Sequence, residues 1–456
     1  MAVYDLTPVE VPQIETKYRS IKTAIPVPES VEIFERIVKS EPRSMQGQPP
    51  VVWHKAKDFT IEDKWGNRWI DWSSGVLITN AGHGRDKIKD ALKEAVDNDL
   101  LSTYVFMHEK RALLTEALAG KSPDSENYRV FLLSSGSEAT ENCIKLAKTY
   151  AMEKHGPQKK YFVTFTDAFH GRTMGSQLAG GIPTLKTWIG ESADKSFIQV
   201  PFPNGYRQPD TSFDLFLKSI EEQGVKPEEI AGVMTESYQG AGTEFLPYEY
   251  AQELSAFCKK YDIVLIMDEV QAGFGRSGKF WSFEHYDVKP DLIAAGKGIT
   301  SSLPLSAVIG RKEIMELYAP GSMTSTHSAS PLPVAAALAN LEIIEEENLV
   351  EKAAKLGEIL NPELERIQKK YPDVLGEFNG RGLVAAIQVV KPGTKDPDPA
   401  TAQKINLAAL YKGLLMFAPV GLQGATLKVV PPLNITEEAL RESIVVFEEA
   451  VDEILG

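Results

Sequence analysis

Between about residues 75 and 330, short apolar runs alternate with longer segments that have the apolar spacing of helices. Most of these runs are apolar at consecutive positions, which is typical of strands that are buried on both faces. Such strands form a largely parallel sheet that helices cover on both sides. The predicted strands are YRVFLLSS (128–135), KYFVTFT (160–166), IAGVMTES (230–237), IVLIMDEV (263–270) and DLIAAG (291–296).

The two ends of the chain show a different pattern. Residues 1–74 begin with a proline-rich arm, and alternating segments around Gly66 predict a β-hairpin at 59–72. Residues 331–456 mix helices with short strands. The sequence therefore predicts an α/β protein with a large domain at 75–330 and a smaller α+β domain at 331–456, to which the N-terminal segment belongs.

Within the predicted small domain, a long helical region begins at residue 331, and the pattern predicts a break in it at Pro362. A strand, a Pro/Asp/Gly-rich loop and another helix follow. The segments LLMFA (414–418) and TLKVVP (426–431) predict a short strand pair. A final amphipathic helix is expected from Thr436.

Composition narrows the choice of partners and compartment. With 49 Lys and Arg against 63 Asp and Glu, the formal net charge of −14 disfavours nucleic acid and anionic membranes as partners. The N-terminus lacks the pattern of a signal peptide, and no run approaches 18 apolar residues. Two cysteines without a CxxC pair suggest reduced thiols and a cytoplasmic location. The seven histidines show no metal-ligand spacing, so no metal site is expected.

Two side chains at the ends of predicted strands indicate a cofactor site. Asp268 follows the run IVLIM, and Lys297 lies between two glycines at the end of the next strand. Alone, Asp268 is explained as well by a turn cap or a structural ion pair as by a role in a ligand site, and Lys297 is explained better as a surface lysine. Pyridoxal 5′-phosphate (PLP) needs an amine that forms an imine and a carboxylate that keeps its pyridine nitrogen protonated. Because ligands bind beyond the carboxyl ends of such strands, the pair favours PLP.

The same site needs an anion-binding loop and an aromatic surface. In SSGSEATENCIKLAK, a strand is followed by Gly136 and Ser137 at the start of a helix, where backbone N–H groups bind phosphate. An ordinary helix cap is the alternative. In AFHGRT, Phe169 could stack on the pyridine ring, with His170 beside it, although a core position is the alternative for Phe169.

The segment GFGRSGK (273–279) could instead suggest a nucleotide-binding protein. It fits GxGxxG and nearly fits the P-loop pattern. However, Phe280 occupies the position of the P-loop Ser or Thr, and no helix and acidic residue follow as a dinucleotide site requires. Nucleotide binding is therefore a remote alternative.

Taken together and in order, these motifs resemble the class III (4-aminobutyrate/ornithine type) aminotransferases, PLP enzymes of fold type I. The resemblance covers nearly the whole chain and rests on WIDWSSGVLITNAGHG, SGSEATENCIKLAK, AFHGRT, ESYQGAG, IMDEVQAGFGRSGKFWSFEH, KPDLIAAGKGI, LPLSAVIGR, THSASPLPVAAALA and GRGLVAAIQV.

The resemblance implies a role for each matching residue. Lys297 matches the Schiff-base lysine, and Asp268 matches the partner of the pyridine nitrogen. Thr326 matches a threonine that binds the phosphate from the partner subunit, which implies a homodimer with shared active sites, or a tetramer built from such dimers. The remaining matches are Gly136 and Ser137 at the phosphate, Phe169 and Glu236 on the two faces of the cofactor, Gln271 near its phenolic oxygen, and Val76 facing the substrate.

The sequence departs from the family where the substrate binds. Ala241 replaces a glutamate that in relatives pairs with an arginine, and Lys428 stands where that arginine is expected. A lysine binds a carboxylate as a point charge, without the two-pronged geometry of arginine.

The resemblance and this altered pair favour transamination from an ω- or β-amino compound, namely an amino acid, a diamine or a β-aminoacyl thioester. The acceptor is expected to be 2-oxoglutarate or pyruvate. An amino-acid racemase or epimerase, or another PLP enzyme on the same scaffold, is the alternative.

Overall fold

The computed structural model describes residues 4–192 and 194–456. Their contacts divide the chain into two compact units. The first combines the chain up to Arg85 with Leu349–Gly456, and the second is Asp86–Asn348.

Among the described residues, the N-terminal part of the first unit contains one right-handed α-helix, one left-handed helical turn at Ser74–Leu77, two short 3₁₀ helices and five strands. The strands β4 and β5 form an antiparallel hairpin around Gly66, whose φ of +93° suits glycine. The elements are β1 Ile14–Glu15, β2 Ser20–Ile21, a 3₁₀ helix at Pro28–Ser30, α1 Val31–Ser40, a 3₁₀ helix at Arg43–Met45, β3 Lys55–Lys57, β4 Thr60–Glu62, β5 Arg68–Asp71 and α2 Ser74–Leu77.

The second unit is built from nine helices and seven strands among the described residues. The helices are α3 Asp86–Asp97, α4 Glu109–Gly120, α5 Gly136–His155, α6 Met174–Ala179, α7 Pro183–Lys186, α8 Phe213–Glu222, α9 Tyr248–Tyr261, α10 Lys312–Met315 and α11 Pro331–Glu346. The strands are β6 Tyr128–Leu133, β7 Tyr161–Phe165, β8 Phe197–Val200, β9 Ile230–Glu236, β10 Val264–Asp268, β11 Leu292–Ala295 and β12 Ser306–Arg311. Short 3₁₀ helices lie at Thr187–Ser192, Pro227–Glu229, Ser282–Tyr286 and Lys297–Ile299.

These seven strands form one sheet in the order β6-β12-β11-β10-β9-β7-β8. Neighbours from β11 to β8 are parallel, and only β12 runs opposite to the strands on either side. Every residue of β9, β10 and β11 is buried, as expected for strands covered on both faces. The prediction of an α/β fold with a mostly parallel sheet is confirmed.

The register of this sheet brings the chemically important residues to one edge. Asp268 is paired directly with Glu236 across β10 and β9, and with Ala294 across β10 and β11. Lys297 follows β11 by two residues, and α5 begins shortly after β6. Parallel strands thus deliver an amine, two carboxylates and a helix N-terminus to the same edge.

The C-terminal part of the first unit forms a small sheet of its own and adds one strand to the sheet of the N-terminal strands. Its three-stranded antiparallel sheet has the order β13-β14-β16, and β15 pairs in parallel with β5, so both ends of the chain share one sheet. The elements are α12 Leu349–Lys370, β13 Leu375–Arg381, β14 Val384–Val389, α13 Pro399–Tyr411, β15 Leu414–Leu415, a 3₁₀ helix at Leu422–Gly424, β16 Thr426–Val429 and α14 Glu437–Leu455.

Two details of the predicted small domain are wrong. Helix α12 continues through Pro362, and the long helical region is interrupted instead at Glu347 and Asn348, before α12. The two segments predicted to pair with each other contribute β15 and β16, which pair with β5 and β14 respectively.

The boundaries between the two units lie at 85/86 and 348/349, whereas the sequence predicts them at 74/75 and 330/331. Helix α11 belongs to the second unit because it packs along α3 and α4. Lys87 of α3 forms ion pairs of 2.7 Å with Glu342 and Glu346 of α11. Among the described residues, no helix has the length and apolar content needed to cross a membrane.

Close packing of α12 against the β13–β14 turn yields a test of the fold. A Cβ added at Gly357 would lie 2.6 Å from the carbonyl oxygen of Gly382. Alanine normally stabilises a helix interior relative to glycine by roughly 0.5–1 kcal/mol. We expect Gly357→Ala to destabilise by about 1–3 kcal/mol in urea unfolding because the backbones must separate.

The matched control is Gly120→Ala at the end of α4, where nothing lies within 4 Å of the added Cβ. It should leave the free energy of unfolding unchanged or slightly raised. Equal behaviour of the two variants would contradict the described packing.

Candidate active site

A cavity of about 320 Å³ opens beyond the carboxyl ends of β9 and β10. The structure brings eight of the predicted site residues together in its lining: Gly136, Ser137, Phe169, His170, Glu236, Asp268, Gln271 and Lys297. Gly171, Arg172 and Val270 also line it, and the sequence reasoning did not single them out. Their adjacency to His170 and Asp268 was the available signal.

Asp268 is held at both carboxylate oxygens. Its Oδ2 accepts a hydrogen bond of 2.7 Å from Nδ1 of His170, and its Oδ1 accepts one of 3.0 Å from the backbone N–H of Val270. Burial disfavours a charge on His170, but the hydrogen bond that the ring donates to Asp268 and the charges of Asp268 and Glu236 outweigh the effect of burial and raise the pKa of His170. The ring is completely buried, so the pair is a fixed feature of the site.

Lys297 approaches the same carboxylate from the end of β11. Its φ of +39° is unusual for a residue with a side chain and marks a constrained turn between Gly296 and Gly298. Burial lowers the pKa of Lys297, and the charges of Asp268 and Glu236 only partly oppose that effect. A lowered pKa leaves more of the amine neutral and therefore nucleophilic.

Glu236 lies between the backbone segments that surround the cavity. Its Oε2 accepts a hydrogen bond of 3.0 Å from the N–H of Phe169, and its Oε1 accepts one of 2.7 Å from Gly240. Burial raises the pKa of Glu236 to about 7, which the charge of His170 opposes. Through these bonds Glu236 fixes the backbone position of Phe169.

The N-terminus of α5 is preorganised to bind an anion. Ser135 and Glu138 form a capping box, in which each side chain accepts a hydrogen bond from the backbone N–H group of the other residue. Ser137 Oγ accepts a hydrogen bond of 3.3 Å from the N–H of Arg172. A Cβ at Gly171 would lie 2.2 Å from Ser137 Oγ, so only glycine allows this approach. Helices that begin in this way attract phosphate.

The other predicted residues lie outside this lining. Thr326 is exposed, and Ala241 is partly buried immediately after Gly240. In the first unit, Val76 is 44% exposed, whereas Lys428 is buried in β16 with only 2% exposure.

The glycine-rich segment 273–279 packs against other side chains of the protein. Glu269 accepts hydrogen bonds from the backbone N–H groups of Ser282 (2.8 Å) and Phe283 (3.1 Å), which anchors the far end of the loop. A Cβ at Gly273 would lie 2.8 Å from the ring of Trp281. This packing gives the glycines a structural role. Among the described residues, no group of His, Cys, Asp or Glu has the arrangement of a metal site.

Comparison with known proteins identifies the family of this chain. Residues 43–451 match the family model of class-III aminotransferases. The chain belongs to this family. A 4-aminobutyrate aminotransferase from Mycobacterium leprae is 33% identical over 449 residues, which are 96% of this chain and 98% of that protein.

Two further relatives are informative. An alanine/serine racemase from Pyrococcus horikoshii is 33% identical over 455 residues, 96% of this chain and 94% of its own. A crystal structure of an (S)-enantioselective ω-transaminase from Thermomicrobium roseum superimposes with a TM-score of 0.84 at 28% identity, covering 94% and 99% of the two chains.

The aminotransferase is a PLP-dependent transaminase of fold type I. Its cavity fits the cofactor chemically. Lys297 offers the amine, the Asp268–His170 pair offers a carboxylate for a protonated ring nitrogen, and α5 offers an anion site. The predictions of the family, the enzyme class and the cofactor are confirmed.

The raised pKa of His170 predicts a pH dependence of stability. In cofactor-free protein, a charged His170 stabilises the fold below its ordinary pKa of 6.5, and this contribution is lost as pH rises through the higher folded-state pKa. We expect the free energy of unfolding of the wild type to exceed that of His170→Asn by more at about pH 6 than at about pH 9. Parallel pH curves for the two proteins in urea unfolding would contradict this assignment.

Proposed function

We propose that the enzyme transfers an amino group from an ω- or β-amino compound, namely an amino acid, a diamine or a β-aminoacyl thioester, to 2-oxoglutarate or pyruvate. The observation that carries the transfer is the convergence of Lys297, Asp268 and His170 in one cavity. The ω-selective relatives support a donor whose amine is remote from its carboxylate.

Bound PLP supplies an electron-accepting ring that stabilises negative charge on a neighbouring carbon. Asp268 keeps the ring nitrogen protonated, and His170 and Val270 hold the Asp268 carboxylate in position. Lys297 Nζ would hold the cofactor covalently, and its amine would serve during the transfer first as proton acceptor and then as proton donor. A lowered pKa favours the neutral amine, which is the form that attacks a carbonyl carbon and that accepts a proton; the proton it accepts is the one that it then returns as an acid.

The remaining cavity residues orient the ring and its phosphate. Gly136 and Ser137 donate backbone N–H groups to the phosphate. When PLP is bound, Phe169 and Glu236 would hold its ring, and Gln271 would hold its phenolic oxygen, as the family resemblance implies. Gln271 Nε2 donates a hydrogen bond of 3.4 Å to the carbonyl oxygen of Gly240, and the side chain lines the cavity.

On the substrate side, we assign Val76, Ala241 and Lys428. A cationic Lys428 would attract a carboxylate of the donor or the acceptor as a point charge. Lys428 lies in β16, which pairs with β14, and is 2% exposed.

A racemase is the second candidate. The Pyrococcus horikoshii alanine/serine racemase matches 96% of the chain, at the same identity as the 4-aminobutyrate enzyme. Both reactions need Lys297 and Asp268, and the difference lies in whether a carbonyl product is released.

We also propose a homodimer with shared active sites, which could further assemble into a tetramer. Six apolar side chains between residues 100 and 107 are exposed, and Phe106 and Met107 reach 75% and 87%. This segment adjoins the loop of Thr326, since Tyr104 contacts Thr324 at 3.3 Å and His108 contacts the carbonyl of Ala329 at 2.9 Å. Several exposed apolar side chains within one short segment are typical of a protein interface.

The buried, unpaired Cys143 and Cys258 support a reducing compartment, and we propose that the enzyme is cytoplasmic.

The main test uses the cofactor's visible absorption. The wild type loaded with PLP should show the band of a lysine-bound cofactor, and Lys297→Ala should lose it. Asp268→Ala should keep the band but lower kcat by roughly a thousandfold, because the electron sink weakens. Lys279→Ala, an exposed lysine in the same sequence region, is the control. A normal band in Lys297→Ala, or near-normal turnover in Asp268→Ala, would overturn the respective role.

Shared active sites can be tested with heterodimers purified through two different tags. A dimer of one Lys297→Ala chain and one Thr326→Ala chain should retain about half of the wild-type activity, since one site then has both residues.

The control carries the same two substitutions on one chain, paired with a wild-type chain. It should have little activity at limiting PLP because each site then lacks one residue. The reverse result, an active control and an inactive mixed dimer, would show self-contained sites.

A further inference from the structure

A single stretch of chain in the second unit borders the cavity and then leaves it. In this border segment, residues 169–176, the first four residues line the cavity, and the chain then enters the six-residue helix α6. The segment is buried at His170, whereas Arg172 and Thr173 are exposed. Exposed loops open locally at a low cost in free energy unless specific contacts hold them.

One face of α5 holds the border segment. Thr140 and Glu141 follow Ser137 by three and four residues, so the three side chains lie on the same side of the helix. The Thr140 hydroxyl donates a hydrogen bond of 2.7 Å to the carbonyl of His170, and Ser137 Oγ accepts the bond from the N–H of Arg172. These two contacts hold the part of the segment that lines the cavity.

Glu141 holds the exposed end of the segment through three hydrogen bonds to one oxygen. Its Oε1 accepts them from the hydroxyl of Thr173 and from the backbone N–H groups of Gly175 (2.9 Å) and Ser176 (3.2 Å). Thr173 is the N-cap residue of α6, but its own side chain makes no capping hydrogen bond. The carboxylate of the neighbouring helix therefore acts as the cap, and a charged acceptor makes stronger hydrogen bonds than a neutral one.

Close packing accompanies these hydrogen bonds. A Cβ at Gly175 would lie 3.2 Å from the carboxyl carbon of Glu141, so the glycine allows the carboxylate to lie against the backbone of α6. A helix of six residues is not stable by itself, so α6 depends on its contact with α5. Loss of Glu141 would free the exposed end of the border segment, while Thr140 would still hold His170.

The chemistry of transamination gives such a contact a purpose. The donor's nitrogen is carried by the cofactor between the two half-reactions, and during that interval Lys297 is a free amine. The cofactor is then held by non-covalent contacts alone. The border segment supplies part of them, because four of its residues line the cavity.

We propose that Glu141 is a positioning residue whose contact with the border segment acts as a latch, and that this latch retains the aminated cofactor, pyridoxamine 5′-phosphate, between the half-reactions. The inference rests on the proposed function, because only a transfer of the amino group produces this form. It gives α5 a second task. The first turn of α5 is assigned to the phosphate, and the next turn keeps the border segment in place.

The first experiment measures cofactor retention without turnover. Wild type and Glu141→Ala are loaded separately with PLP and with pyridoxamine 5′-phosphate, and the dissociation constant of the aminated form is measured by equilibrium dialysis. Loss of the charge-assisted hydrogen bonds should raise that constant by about ten- to a hundredfold in Glu141→Ala. Gel filtration should remove the aminated form from the variant and leave its lysine-bound PLP band in place.

Matched variants separate the hydrogen bonds from other effects of the substitution. Glu141→Gln keeps an oxygen that can accept the same bonds, so its dissociation constant should stay within about threefold of the wild-type value. Glu153→Ala removes an exposed carboxylate from the last turn of the same helix and should not change retention. Thr173→Ala should weaken retention, whereas Thr173→Ser should not, because serine keeps the donor.

The second experiment observes the latch in cofactor-free protein. Arg172 is exposed, so trypsin can cut after it when the border segment opens. Mass spectrometry of the fragments should show cleavage there about tenfold faster in Glu141→Ala than in the wild type. Cleavage after exposed Lys64, in the turn between β4 and β5, should keep its rate.

Several results would overturn the proposal. Wild-type retention of pyridoxamine 5′-phosphate in a folded Glu141→Ala would do so, and so would unchanged cleavage after Arg172. Loss of both cofactor forms at the same rate would contradict a role between the half-reactions. If Glu141→Ala does not fold, equal retention in Thr173→Ala and Thr173→Ser would be the contrary result. An enzyme that gives no carbonyl product from any amine donor fails the proposed function, whereas normal transfer with unchanged retention in Glu141→Ala overturns the latch alone.

Discussion

The hydrogen bond between Asp268 and His170 is the interaction on which the site depends. It places a carboxylate and an imidazole in a buried position, where a charge on either group is unfavourable unless the other group compensates it. The sheet register sets Glu236 beside them, and Lys297 closes the group from the next strand. Burial and neighbouring charges together set the charge states in this group: burial raises the pKa of Glu236 and lowers that of Lys297, and the carboxylates of Asp268 and Glu236 raise that of His170.

Besides the Asp268–His170 side-chain bond, backbone N–H groups position the carboxylates of this cluster. Glu236 holds the N–H groups of Phe169 and Gly240, and Asp268 holds that of Val270. Fixed dipoles of this type need no rearrangement when charge develops, which is the main way in which an enzyme lowers a barrier. The relatives of this chain include an alanine/serine racemase as well as aminotransferases, so one scaffold serves more than one reaction in this family.

Much of the fold and site could be predicted because the relevant signals are local. Buried strands show as apolar runs, and Asp268, Lys297 and Ser137 each stand at the end of one. Other features depend on contacts distant in sequence. Nothing near Pro362 reveals that α12 continues, and the pairing of β15 with β5 joins residues far apart in the chain. The hydrogen bond of His170 to Asp268 and the left-handed turn at Val76 required coordinates for the same reason.

The central claim is that this cavity performs transamination. The most direct measurement is a single half-reaction, in which PLP-loaded enzyme is mixed in D₂O with an ω-amino acid and no keto acid. The account predicts loss of the lysine-bound absorption band together with about one carbonyl product per active site. A band that no amine donor changes, or deuterium entering the carbon next to the amine without any carbonyl product, would contradict it.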